Sequence, residues 1–261
     1  MEYVFIYILL GAASGFLAGL LGIGGGFVIV PSLYYLFIWK GFPKEYLMHV
    51  VIATSLSSIC VTTLISTLIH TLKRTIFFRS LYYFLPGIVF GCLFGAFLAT
   101  EISSDLLKKI FGFFAILIGL YFIYPHLPYF KIVNQKFLIF LGIIVGSFST
   151  LLGIGGGVFS VPIFLAYQIP MKNVGATSSV ATFVSSLIGS LLFFILGWNL
   201  HIAGTTWGYI DLTSFIAISI GSIFFTAFGV KCSQIFQVST MKRIFGLVLS
   251  ITGIIMLWHF N

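Results

Sequence analysis

Two glycine-rich segments are the most unusual chemical feature of the sequence. The residues LLGIGGG occur identically at 20–26 and at 151–157, and a proline follows each of them, at Pro31 and Pro162. Glycine exposes its backbone N–H groups because it has no Cβ, and successive N–H groups can form a concave site for an anion. A helix that begins just after the glycines adds the positive end of its dipole. The pattern predicts paired anion sites; the alternative is that the glycines only permit tight turns and close helix packing.

Hydroxyl side chains form the second candidate group. Ala-Thr-Ser stands at 53–55 and again at 176–178, and a hydroxyl can donate a hydrogen bond to an anion without placing a full charge in an apolar region. The same hydroxyls could instead bond to carbonyl groups of their own or a neighbouring helix. Further hydroxyls on these segments, Ser185 among them, are assigned to helix packing. The candidate binding residues are Gly22, Gly24, Gly25, Gly26, Thr54, Ser55, Gly153, Gly155, Gly156, Gly157, Thr177 and Ser178.

Few titratable groups accompany these candidates. His49 and His70 flank the segment that carries Thr54, and either imidazole could serve coupling or gating because it titrates near neutral pH; an interfacial role is the alternative. Asp211 precedes an apolar run and is interpreted as a helix cap in preference to a residue of the mouth. HExxH, GxSxG and P-loop motifs are absent from the sequence. We therefore expect no enzyme, no catalytic residue, no metal and no cofactor.

The elements that must position these residues are apolar helices. Of 261 residues, 60% are hydrophobic and only 7% are charged, which is about a quarter of the charge that an average soluble domain carries. This composition excludes a soluble enzyme, a nucleic-acid-binding protein and a disordered chain. It predicts an all-α integral membrane protein.

Runs free of Asp, Glu, Lys and Arg mark the membrane spans. Most fit one crossing of about 20 residues, but 3–39 and 137–171 are too long and contain the two glycine segments. Each is therefore predicted to form a broken helix hairpin. LLGIGGG, Ala-Thr-Ser and a basic pair followed by Ile-Phe-Gly recur in the same order. The chain is predicted to be one transmembrane domain built from two repeats, 1–128 and 129–261, each with about five helical segments.

Charge bias at equivalent connections predicts that the repeats are inverted. The connection after the first Ala-Thr-Ser segment carries Lys73, Arg74 and Arg79, whereas its counterpart at 197–209 has no Lys or Arg. At the next connection the bias reverses, and the second repeat is the basic one. Because basic loops stay in the cytoplasm, opposite bias at equivalent loops is typical of inverted repeats. This hypothesis puts both termini outside the cell.

The two LLGIGGG segments with their prolines, each followed by a helix that opens with Ala-Thr-Ser, resemble the sulfite exporter TauE/SafE family, also called the 4-toluenesulfonate uptake permease group. The resemblance covers the whole chain. It implies a multi-pass transporter of the cell inner membrane whose substrates are small sulfur-containing anions such as sulfite, sulfoacetate or related organosulfonates. The expected partners are a small anion and the lipid bilayer; nucleic acid is not expected, and a homo-oligomer stays open.

The function that we predict is secondary transport with alternating access around the paired breaks. A passive anion channel could use the same glycine segments and is the first alternative. A non-transporting membrane scaffold is the second, although anchoring alone does not need duplicated broken helices.

Overall fold

The computed structural model describes residues 2–22, 24–124, 135–200, 202–232 and 238–258. Within these ranges the chain forms ten α-helices and one short β-hairpin. The helices are α1 (Glu2–Leu21), α2 (Gly26–Trp39), α3 (Leu47–Leu72), α4 (Phe78–Glu101), α5 (Ser104–Ile123), α6 (Gln135–Leu152), α7 (Gly157–Ala166), α8 (Met171–Leu196), α9 (Leu212–Cys232) and α10 (Val238–Trp258). The hairpin pairs β1 (Thr206–Trp207) with β2 (Ile210–Asp211) in antiparallel orientation, with Thr206 opposite Asp211.

Seven of these helices, α1, α3, α4, α5, α6, α8 and α9, are long and apolar enough to cross a membrane. Large aromatic side chains such as Phe90, Phe97 and Phe224 are 65%, 62% and 73% exposed, which suits contact with lipid and would be costly in water. With 14 and 10 residues, α2 and α7 are too short to cross about 30 Å of hydrocarbon. The protein is a multi-pass, all-α membrane protein, as the composition predicted.

Each of four long helices of the first half, 1–128, packs along a helix of the second half, 129–261. α1 packs along α9, and α4 packs along α6; α3 packs against α8, and α5 against α10. Small residues bring the backbones together, which is the usual basis of close helix contact in membranes. Gly11 of α1 lies against Ile218 and Gly19 lies against Thr226. Because both numbers rise together, α1 and α9 run parallel.

Other helix pairs run in opposite directions. Gly112 of α5 lies against Gly253 of α10, while Gly119 lies against Gly246, so these two helices are antiparallel. The same holds for α3 and α8. In each of these two pairs, α5 with α10 and α3 with α8, the helices occupy equivalent positions in the two halves of the sequence.

The connections between helices gather at two ends of the bundle. Segments 40–46, 102–103, 197–200 and 202–211 meet at one of them. We call it the His49 end because His49 stacks on Tyr209 there, with ring centroids 5.5 Å apart. Lys40, which directly follows α2, has its Nζ 5.9 Å from the ring centroid of Tyr3 and 5.0 Å from that of Tyr7, both in α1. Helices α1 and α2 therefore form a hairpin that enters and leaves the bundle at the His49 end.

Segments 73–77 and 167–170 meet at the opposite end, the Arg79 end. Asn173 joins them by donating a hydrogen bond of 2.6 Å to the carbonyl of Thr75. Helix α6 begins at this end and α7 finishes there, because α6 runs parallel to α4. The second broken hairpin thus enters the bundle from the side opposite to the first.

Charge is distributed unequally between the two ends. All five acidic residues of the chain belong to the His49 end: Glu2, Glu45, Glu101, Asp105 and Asp211. Basic residues at that end are Lys40, Lys44, Lys108 and Lys109. The charged residues that the structure describes at the Arg79 end are all basic: Lys73, Arg74, Arg79, Lys136, Lys172, Lys231, Lys242 and Arg243. The Arg79 end is therefore strongly positive, and the His49 end is close to neutral.

Candidate functional site

The two glycine breaks meet in the centre of the bundle. A Cβ on Gly24 and a Cβ on Gly155 would each contact the same two side chains, Ile59 and Thr182, which lie near the middle of α3 and α8. The first break also contacts the second directly through Gly26. Both breaks therefore lie at mid-depth, next to each other, although they reach this position from opposite ends.

Each break needs glycine for conformational reasons. Three residues in each of them have left-handed backbone angles, with φ between 53° and 85°: Gly22, Gly24, Gly25, Gly153, Gly155 and Gly156. Residues with a Cβ adopt this region at a cost of about 1–2 kcal/mol, whereas glycine adopts it freely. The run of glycines thus lets the chain reverse direction at mid-depth and start a new helix at once.

Helices α2 and α7 begin inside the bundle without side-chain caps. Their N-cap residues are Gly25 and Gly156, and neither N-cap makes a side-chain hydrogen bond to the first N–H groups of its helix. The first N–H groups of a helix have no partner within that helix, and the helix dipole makes this end positive. Two positive helix ends therefore lie together at the protein centre. Such an arrangement attracts an anion.

The serines of the two Ala-Thr-Ser segments lie beside the breaks, and both of them bond to the second break. Ser55 Oγ donates a hydrogen bond of 2.8 Å to the carbonyl of Gly153, and Ser178 Oγ donates one of 3.1 Å to the carbonyl of Gly157. A hydroxyl carries one hydrogen, so neither serine can also donate to an anion in this conformation. Their observed contacts hold the second break in place.

The threonines of the same segments link one half of the chain to the other. Thr54 Oγ1 accepts a hydrogen bond of 3.0 Å from the Asp211 N–H, and Thr177 Oγ1 accepts one of 3.1 Å from the Phe77 N–H. Asp211 and Phe77 directly precede α9 and α4. One link therefore closes the His49 end, and the other closes the Arg79 end.

Ser185 contacts the second break, a role that the sequence analysis did not assign to it. Its Oγ donates a hydrogen bond of 2.8 Å to the carbonyl of Gly155. The spacing of Ser178, Thr182 and Ser185 is the signal that could have revealed this, because residues four and three apart share one face of a helix. That face of α8 is the one that meets the breaks.

The three titratable candidates lie away from the breaks. The carboxylate of Asp211 accepts a hydrogen bond of 3.0 Å from the Ser214 N–H, which is the geometry of a helix cap. His70 lies at the Arg79 end of α3, with its Nδ1 3.0 Å from Thr75 Oγ1. His49 is buried in the first turn of α3. Among the residues that the structure describes, no three His, Cys, Asp or Glu side chains come together as metal ligands.

Proteins with similar sequences are named as membrane transporters. The family model for sulfite exporter TauE/SafE proteins matches residues 7–256. A probable membrane transporter protein of Haemophilus influenzae is 30% identical over 97% of each chain. Another, from Bacillus subtilis, is 30% identical over 97% of this chain and 96% of its own length, and one from Methanocaldococcus jannaschii is 28% identical over 97% and 94%. No solved structure matches the chain.

Proposed function

Because the chain belongs to the sulfite exporter TauE/SafE family and is a membrane transporter, not an enzyme, we propose that it is a secondary transporter of small sulfur-containing anions. Sulfite, sulfoacetate and related organosulfonates are the proposed substrates, and the cell inner membrane is the proposed location. The observation that carries this proposal is the meeting of two uncapped helix N-termini at mid-depth. Broken helices that point their N-termini at an anion are a recurrent device of transporters built from repeats.

The proposed ligands are the backbone N–H groups of the two breaks, from Gly22, Gly24, Gly25 and Gly26 and from Gly153, Gly155, Gly156 and Gly157. In the present conformation the N–H groups of Gly22 and Gly26 donate to the carbonyls of Ala18 and Gly24, so these two become available only when the first break rearranges. A sulfonate has three oxygens that accept hydrogen bonds, and helix N-termini are ready-made sites for such groups. In this proposal, Ser55 and Ser178 release the break carbonyls when the halves move. Their hydroxyls and those of Thr54 and Thr177 then become available to the anion.

Alternating access is proposed to follow from the relation between the halves, which we take to be inverted repeats. In support, equivalent helices run antiparallel and the broken hairpins enter from opposite ends, as expected for a pseudo-two-fold axis in the membrane plane. The links made by Thr54 and Thr177 lie toward opposite ends. Breaking one link while keeping the other would open one end of the central site at a time.

The proposed orientation places the Arg79 end in the cytoplasm and both termini outside, because basic segments remain inside. Single cysteines at Arg79 and Asn199 test it in a variant whose native Cys60, Cys92 and Cys232 are replaced by alanine. Both chosen side chains are exposed, and they lie at opposite ends. An impermeant maleimide added to intact cells should label the Asn199→Cys variant, and it should label Arg79→Cys only after permeabilisation. Labelling of both from the same side would contradict the inverted arrangement.

Substrate binding is tested with purified protein and a panel of sulfite, thiosulfate, sulfoacetate, taurine and acetate. At least one sulfur oxyanion should raise the melting temperature and exchange across proteoliposomes in a counterflow assay, and acetate should do neither. The stabilisation follows from mass action, about 2.7 kcal/mol at a ligand concentration of 100 Kd. Flux that dissipates every gradient without counterflow would indicate a passive anion channel instead. Neither a shift nor flux across the panel would point to a scaffold.

A further inference from the structure

A polar cavity at the His49 end lies outside the proposed anion site. Its volume is about 490 Å³, and the residues that line it include the acidic Glu45, Glu101 and Asp105 together with His49 and Tyr209. Three carboxylates around one opening attract cations and protons and repel anionic substrates. The cavity therefore suits a ligand different from the proposed sulfur-containing anion.

The buried ring of His49 has one satisfied and one unsatisfied nitrogen. Nε2 lies 3.0 Å from the carbonyl oxygen of Ala99 and 3.1 Å from that of Ile102. Because carbonyl oxygens only accept, Nε2 must carry the hydrogen, and in the neutral ring Nδ1 has a free lone pair. His49 is only 4% exposed, and its Nδ1 makes no hydrogen bond of standard geometry, although the backbone of Glu45 lies beside the ring. Leaving a buried acceptor unpaired costs about 1–3 kcal/mol. Binding of a proton to Nδ1 would remove this cost.

We propose that Nδ1 of His49 binds a proton delivered through this cavity, and that this proton is coupled to anion transport. The inference rests on the proposed transport function and names its coupling ion. A hydronium ion in the cavity loses one proton to the Nδ1 lone pair, which leaves a water molecule and a singly charged imidazolium. The carboxylate of Glu45 on the same cavity wall favours that charge, and the burial of the ring opposes it.

The remaining titratable and charged groups on the cavity wall are Lys44, Tyr46 and Tyr209. A hydrogen bond with Glu45 raises the pKa of Tyr46, and burial raises the pKa of Tyr209. Both phenols therefore stay neutral where histidine titrates. Lys44 opposes protonation of the ring, and the carboxylate of Glu45, the next residue, favours it.

The position of His49 connects proton binding to the movement of the halves. Its ring stacks on Tyr209 with an interplanar angle of 27°, and Tyr209 belongs to the second half, two residues before Asp211. The Asp211 N–H is bonded to Thr54 of the first half. A protonated imidazole over an aromatic face gains a cation–π attraction. Proton binding thus strengthens the closure of the His49 end, and proton loss weakens it.

The test compares His49→Gln with His70→Gln in proteoliposomes. Glutamine keeps an N–H donor for the Ala99 and Ile102 carbonyls but cannot titrate between about pH 5 and 8. His70 is the matched control because it lies in the same helix and its Nδ1 already has a partner in Thr75. For each protein, one assay measures counterflow at equal pH, and a second measures anion accumulation driven by a pH gradient.

His49→Gln should retain counterflow within about twofold of the wild type and lose gradient-driven accumulation by about tenfold or more, because exchange needs no proton release. His70→Gln should retain both. Unchanged gradient-driven accumulation in His49→Gln would overturn the inference, and so would loss of counterflow in a folded variant, which would make His49 a positioning residue.

The same two assays on the wild-type protein distinguish a failure of this inference from a failure of the proposed function. Absence of counterflow contradicts the transport proposal itself, whereas counterflow without pH-driven accumulation contradicts only the proton site. If His49→Gln does not fold, a pH-sensitive dye inside wild-type proteoliposomes replaces it. An anion gradient should then move protons across the membrane, and an unchanged internal pH would overturn the inference.

Discussion

Replacing Gly156 by alanine is expected to lower transport by about tenfold or more, because displacements well below 1 Å at a binding centre are costly. Gly156 is the N-cap of α7 and has φ 73°. An added Cβ would lie 3.2 Å from Ser185 Oγ and 3.3 Å from the Cβ of Ser149. These contacts are tight enough to shift the break by a few tenths of an ångström, but they need not prevent folding. The measurement is counterflow per amount of folded protein recovered by size exclusion.

Gly41→Ala is the control that separates backbone strain from a role in the site. Gly41 has φ 74°, and an added Cβ would meet no atom within 4 Å. Both variants thus carry the same strain of about 1–2 kcal/mol, and only the Gly156 variant alters the break. Equal transport by the two would remove the second break from the proposed site. Gly25→Ala is less informative, because its Cβ would lie 2.7 Å from the backbone oxygen of Ser14 and would disturb the packing of α1 as well.

The parts of the fold that the sequence predicted correctly depend on local chemistry. A run of three glycines cannot continue a membrane helix, so the interruptions at 22–26 and 153–157 follow from the residues alone. Asp211 before an apolar run predicts a cap by the same kind of reasoning, and its carboxylate does bond to the N–H of Ser214. The all-α membrane fold follows from hydropathy, since an unpaired backbone is not tolerated in lipid.

The partners of the hydroxyls could not be predicted, because they depend on how distant helices meet. Ser185 bonds to Gly155, thirty residues earlier in the chain, and Thr54 bonds to Asp211 in the other half. The spacing of Ser178, Thr182 and Ser185 indicates only that they share one face of α8, not that this face meets Gly155, and the Thr54 contact leaves no periodic signal at all. The free lone pair on Nδ1 of His49 could not be predicted from the sequence either. It follows from the two carbonyls between α4 and α5 that accept from Nε2 and so fix the tautomer of the ring.

The proposed centre of backbone N–H groups and hydroxyls suits a carrier better than a fixed charge would. A buried lysine or arginine would hold an anion strongly, and its exposure to lipid or an empty site would be costly. Helix N-termini supply only partial charge. Binding can then be strong enough to select an oxyanion and weak enough to release it on the other side, which supports the proposed transport cycle.

Gly87→Ala and Gly221→Ala are expected to lower the melting temperature of the purified protein by similar amounts, roughly 5–10 °C. An added Cβ on Gly87 would collide with the backbone oxygen of Ile139 in α6, and one on Gly221 would collide with that of Ile8 in α1. Because each obstacle is a backbone atom, no change of rotamer can relieve the clash, and the helices must separate. Overpacking of this kind costs about 1–3 kcal/mol, and each kcal/mol shifts the midpoint by about 2–4 °C in a chain of this size.

Equality of the two effects tests whether the halves pack as equivalent repeats. Gly87 and Gly221 hold the same position relative to the recurring Ile-Phe-Gly motif, and they clash with residues at equivalent positions in α6 and α1. Gly204→Ala is the control, because its Cβ would have open space within 4 Å and should leave the melting temperature unchanged. A large effect at Gly87 together with no effect at Gly221 would contradict the equivalence of the two helix pairs. Equal effects would support two halves that rock against each other along a matched pair of glycine-lined contacts.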